Sequence, residues 1–166
     1  MALLVATVVL AAAAPSAAAG PANFDFEVAR GAGGAHIGDT RATVVAALGR
    51  PFYENRNGYM QYLPDDAEGI FDVYRTSGSR SSTVRVIAVG DRRFRFAGTD
   101  KRVLGRGTIP FLRRRYGRRL RFERAETGEG QYVVRGRFRG LRTASAFSVS
   151  RRARDPIVSM AWVVRR

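Results

Sequence analysis

The sequence predicts an α+β fold: tandem units, each a helix plus an antiparallel β-sheet, with the helices packed on one sheet face. Two observations predict it. A capped helical pattern ending in glycine occurs twice, with Thr108, Leu112, Tyr116, Gly117 and Arg118 standing 68 positions after Thr40, Val44, Leu48, Gly49 and Arg50. Each occurrence is followed by short runs of strand character separated by turn signals.

Taken in order, Ala2 to Ala14 is apolar without a break, and Pro15-Ser16 lead into Ala17-Ala18-Ala19, a small-x-small cleavage pattern. Residues 1–19 therefore read as an export signal. As a helix this run rises only about 20 Å, against the roughly 30 Å of a bilayer core, so it is not a permanent anchor. No Lys or Arg precedes it, which points to a start upstream of Met1. Residues 20–35 read as a leader or linker rich in Gly and Ala, with Phe24, Phe26 and Val28 alternating as at most one short strand.

The first unit is expected over 36–100 and the second over 101–166. In the first, Thr40 caps a helix of about ten residues, Val44 and Leu48 share a face, and Gly49 and Pro51 stop it. Strands are expected at Gly58–Leu63, Ile70–Arg75 and Thr83–Val89, the last turning at Gly90-Asp91 into Arg92–Phe96. In the second, Thr108 caps, Pro110 fits the first turn, and Ile109, Leu112 and Tyr116 form the apolar stripe. Strands follow at Arg119–Glu123, Gln131–Phe138, Ala144–Val149 and Ile157–Val164, with turns around residues 127–130 and 154–156. Trp162 alternates with Met160 and Val158 and is assigned to the core.

Ile37-Gly38-Asp39-Thr40 followed by Val44, Leu48, Gly49 and Pro51 resembles the opening of the SmpA/OmlA envelope-lipoprotein fold, which in duplicated form makes the β-lactamase-inhibitory proteins. The resemblance covers about fifteen residues and implies an envelope binding or assembly protein. Two features depart from those groups. The chain has no cysteine, so it holds neither the inhibitors' disulfides nor the lipid-bearing cysteine of the lipoproteins.

Charge is divided between the halves. From Gly20 to Asp100 ten Arg balance ten Asp and Glu, whereas Lys101 to Arg166 holds nineteen Lys and Arg against four acids, which accounts for the whole net charge of +15. Such a field draws in anionic surfaces. Alternation through Gln131–Arg139 places Tyr132, Val134 and Phe138 on one face and Val133, Arg135, Arg137 and Arg139 on the other. Leu120 and Phe122 likewise point inward and Arg119 and Arg121 outward, so neighbouring strands would present five guanidinium groups, extended by Arg113, Arg114 and Arg118 of the helix. Planar forks of this kind bind phosphate, sulfate or carboxylate. Gly136 and Gly140 mark a bulge or a close backbone approach.

The neutral half supplies Tyr53, Tyr59, Tyr62 and Tyr74 as candidate protein-interface anchors, with Tyr59 and Tyr62 on opposite faces of their strand. His36, the one histidine, reads as a turn residue rather than a base. The cluster Asp65, Asp66, Glu68 and Asp72 lacks the spacing of a calcium loop and reads as a solvated hairpin. With no nucleophile–base set and no phosphate loop, neither an enzyme nor a metal or cofactor is expected.

The sequence thus points to an exported, non-catalytic, envelope-associated binding protein whose arginine face meets an anionic polymer, a membrane surface as a peripheral contact, or an acidic protein. The alternative is a protein inhibitor or assembly factor gripping its partner with a concave sheet. The charge allows nucleic acid, but export argues against it in the cell.

Overall fold

A computed structural model of the chain describes residues 21, 23–62, 69–127, 131–149 and 156–165. The apolar segment 1–19, Asp65, Asp66 and Glu68 of the acidic cluster, and turn residues 128–130 and 154–155 lie outside the described residues.

The segment expected to be a leader folds. It forms β1 (Asp25–Glu27), β2 (Gly31–Ala32) and β3 (Ala35–His36). Its Gly and Ala content, which reads as a linker, is what allows a close approach: a Cβ on Gly31 would stand 2.1 Å from the carbonyl oxygen of Ala35. Phe26, Ala29, Ala32 and Ala35 are buried in the core. Ala29 adopts φ 60, and its backbone is held by two side chains from far along the chain: its N–H donates to Ser145 Oγ at 2.8 Å and its carbonyl accepts from Thr143 Oγ1 at 2.5 Å.

Next come α1 (Arg41–Leu48), β4 (Tyr53–Glu54), β5 (Tyr59–Gln61), β6 (Phe71–Arg75), β7 (Val84–Val89) and β8 (Arg95–Phe96). Thr40 caps α1, accepting from the Thr43 N–H, and Gly49 at φ 79 ends it. After β8 the order is α2 (Ile109–Tyr116), a 3-10 turn (Gly117–Arg119), β9 (Leu120–Thr127), β10 (Gln131–Phe138), β11 (Thr143–Val149) and β12 (Ile157–Arg165). Thr108 caps α2 through the Phe111 N–H, and Gly117 at φ 55 turns the chain out of it.

Eight strands form one antiparallel sheet in the order β4-β5-β6-β7-β12-β11-β10-β9. Both halves share it through the central β7–β12 pair, in which Val89 faces Ala161 and Val86 faces Val164. The other sheet is small, with the order β3-β2-β1-β8. There β8 runs parallel to β1, with Phe96 beside Phe26, instead of folding back on β7 as the Gly90-Asp91 turn suggested.

These sheets correct the expected class. Among the described residues the molecule is mostly β, with two helices of eight residues each, rather than α+β units with helices packed on a sheet. The helices bury Val44, Leu48, Ile109 and Leu112. Much of the remaining cover over the core face is the small sheet and its flanks: Phe26 and Phe96 meet Phe147 at ring-centroid distances of 5.9 and 6.3 Å, and Phe94 meets Phe71 at 5.1 Å. Two aromatic-rich sheet faces thus enclose a dry layer, which eight-residue helices are too short to cover alone.

Candidate functional site: the open face of the large sheet

Side chains alternate across a sheet, so the residues opposite the core face share the other side. The core face carries Met60, Phe71, Val73, Ile87, Val89, Val134, Phe147, Ala161 and Val163, all buried. On the other side one row of directly opposed residues crosses all eight strands: Tyr53, Gln61, Asp72, Ala88, Trp162, Ala146, Arg135 and Glu123. Seven strand spacings of about 4.8 Å make it about 34 Å long. A parallel row holds Tyr59, Tyr74, Val86, Val164 and Ala144.

The row begins among tyrosines. Tyr53 and Tyr59 lie 5.9 Å apart by ring centroids, and Tyr59 and Tyr74 5.1 Å apart. Cross-strand pairing sets this ladder, since Tyr59 stands directly opposite Tyr74. Asp72, expected in a solvated hairpin, is instead buried beneath it and accepts from Tyr59 Oη at 3.1 Å and Tyr74 Oη at 3.4 Å. Burial pushes the Tyr74 phenol above its ordinary pKa, and the Asp72 carboxylate adds to the shift. Tyr53 and Tyr74 remain exposed, with Phe52 beside Tyr53 in the chain also exposed. Tyr62 does not belong here. It is buried against Phe71 on the core side, and its hydroxyl has no partner among the described residues.

In the middle the face is apolar. Val133, Ala144, Ala146, Trp162, Val164, Arg135 and Arg165 line a shallow hollow. Trp162, expected in the core, is only partly buried here. The phase of β12 is the reverse of the sequence reading, because Ala161 and Val163 fill the core side completely. The inner face of β12 thus carries a small residue and a β-branched one, and the larger Trp162 lies on the outer face. Ala88 and Ala146 stand directly opposite Trp162 on the neighbouring strands and leave room beside the indole.

At the far end β9 and β10 are neighbours, as the arginine cluster required, and Arg137 lies directly opposite Arg121. Arg121, Arg135 and Arg137 emerge on the open face, and Arg139 joins Arg121 and Arg137 around a shared depression. Glu123 is among them and is ion-paired with Arg137, so the face is not bare positive charge. Gly136 makes no bulge, since the β9–β10 register runs unbroken; it clears space on the core side, where a Cβ would meet the Phe122 ring at 3.0 Å.

The remaining predicted arginines sit elsewhere. Arg113, on α2, lies 5.6 Å over the Phe122 ring. Arg114 and Arg119 line a separate cavity between α2, the small sheet and β10. His36 ends β3, where its Nε2 lies 3.1 Å from Glu27 Oε1 and its N–H donates to Asp39 Oδ2 at 2.8 Å. Among the described residues no three His, Asp or Glu side chains gather to hold a metal ion. Comparison with protein-family models, curated proteins and solved structures yields no match for this chain.

Proposed function

We propose that the chain is an exported, non-catalytic binding protein that takes an acidic partner protein on the open face of its large sheet. The observation that supports this is the single row from Tyr53 through Trp162 to Arg135. Aromatic anchors and arginines in one contiguous surface are the composition of a protein–protein interface core and its rim. A polyanion would use the arginines alone and leave the tyrosines and tryptophan idle. The Glu123–Arg137 pair also lowers the charge available to such a ligand and supplies a donor–acceptor pattern that a folded partner can match. Export rests on the apolar run and the Ala17-Ala18-Ala19 pattern, and the resemblance of Ile37 to Pro51 to envelope proteins agrees with it.

The test is a pull-down from envelope extract at low and high salt, using wild type, Trp162→Ala and the pair Arg121→Gln with Arg135→Gln. One protein retained by wild type at both salts, lost with Trp162→Ala and weakened about tenfold by the arginine pair, is expected. Ligands that leave entirely at high salt and ignore Trp162→Ala would replace the protein partner with an anionic polymer.

A further inference from the structure

A cavity of about 790 Å³ opens between α2, the small sheet and the end of β10, within the size range of small-molecule sites. It shares no lining residue with the hollow over Trp162. Its rim is cationic: Arg30, Arg114, Arg115 and Arg119 are all exposed around it. They come from the β1–β2 turn, from two adjacent positions of α2 and from the 3-10 turn that follows it. Glu27 is the one carboxylate in the lining, and it is already in contact with His36. Four arginines against one carboxylate leave a net of three positive charges in the lining.

The floor has the opposite character. Val28 is buried there, and Tyr116 and Phe138 pack edge to face with ring centroids 5.2 Å apart. Leu141 is 43% exposed at the side of the cavity, where no described element covers it. The walls are fixed rather than loose. Arg115 donates to the Ala97 carbonyl at 2.9 Å, tying α2 to the turn after β8, and the Leu141 N–H donates to the Phe138 carbonyl at 3.3 Å.

A cationic mouth over an apolar, aromatic floor recognises a small amphiphile with an anionic head. We propose that this cavity binds a phosphate monoester carrying an alkyl or aryl body, the phosphate among the arginines and the body against Tyr116, Phe138 and Leu141. A phosphate monoester carries nearly two charges near neutral pH and accepts paired hydrogen bonds from guanidinium forks, so it compensates the mouth better than a single carboxylate. Phe138 and Leu141 also border the depression that Arg121, Arg137 and Arg139 share, so the two adjoin, but the cavity needs no partner on the sheet face.

Calorimetric titration with octyl phosphate, inorganic phosphate and octanol tests it on the full chain. Octyl phosphate should bind one to one, and inorganic phosphate at least about tenfold more weakly, because it lacks the part that covers the floor. Arg114→Gln with Arg119→Gln should weaken octyl phosphate at least about tenfold, since charge-assisted hydrogen bonds are lost. Leu141→Ser, a second and milder variant, should weaken octyl phosphate and leave inorganic phosphate unchanged. Arg135→Gln, on the sheet face and in the lining of neither this cavity nor the adjoining depression, should change neither. No saturable octyl phosphate binding, equal affinity for octyl phosphate and inorganic phosphate, or an equal loss in the sheet-face variant would each overturn the assignment.

Discussion

Glu54 joins three elements through one carboxylate. It accepts from Arg41 of α1 at 2.7 to 3.1 Å and from Arg75 of β6 at 2.9 Å, while Arg75 also donates to Ser82 Oγ at 2.7 Å and the Ser79 carbonyl at 2.8 Å. Hydrogen bonding from Arg41 holds the Glu54 carboxyl below its ordinary value of 4.5, against the opposing effect of burial. A depressed folded pKa means the stabilisation is complete above the unfolded value and disappears as pH falls through the folded one. Glu54→Gln should therefore lower stability at neutral pH and flatten the acid limb of a stability-versus-pH curve below about 4.5, read by urea denaturation. Nearby, Tyr62 buries a hydroxyl with no partner among the described residues, and desolvation pushes its pKa far up. Tyr62→Phe should raise stability by about 1 kcal/mol, the cost of a buried polar atom left unsatisfied. Neither feature is legible in the sequence, since Arg75 and Glu54 are distant in the chain and only tertiary packing brings them together. The threonine caps were legible, because a side-chain oxygen reaching the N–H three residues on is a local matter.

Local signals served the elements unequally. Both helices begin and end where Thr40, Gly49, Thr108 and Gly117 indicated, and Thr108→Ala should cost about 1 kcal/mol in thermal or denaturant unfolding. Strand β10 occupies the expected Gln131–Phe138 because Tyr132, Val134 and Phe138 on one face alternate with Val133, Arg135 and Arg137 on the other. The alternation of Phe24, Phe26 and Val28 marks β1, but β2 and β3 are illegible for the same physical reason that they exist. They are two residues long, Gly-Ala and Ala-His, with no periodic apolar signal yet with backbones free to approach closely. Gly31→Ala should accordingly destabilise by about 2 kcal/mol or more, since its Cβ would collide with the Ala35 carbonyl and His36 Cδ2, both within 2.9 Å. Full retention of stability in that variant would mean β2 and β3 are dispensable. Of the candidate site, the arginine strand phase could be read, whereas the direction of Trp162 could not, because both faces of β12 are apolar.

Across the whole molecule the two expected units share one sheet and contacts across it. The large sheet is continuous through β7 and β12, Phe96 of the first half touches Phe147 of the second, and Ser145 and Thr143 of β11 hold Ala29. Heating should give a single transition whose calorimetric and van 't Hoff enthalpies agree; two resolved transitions would restore two independent units. The order helix then four-strand meander occurs twice along the chain, and the two meanders meet at their last strands. β12 is the last strand in chain order, yet it lies at the centre of the sheet. During synthesis, then, β7 waits with an open flank until nearly everything else has emerged, and pairing over such sequence distances is slow. Until then the bare backbone of β7 is an edge to which a foreign strand could add, so completing the sheet is also what shields the molecule from aggregation.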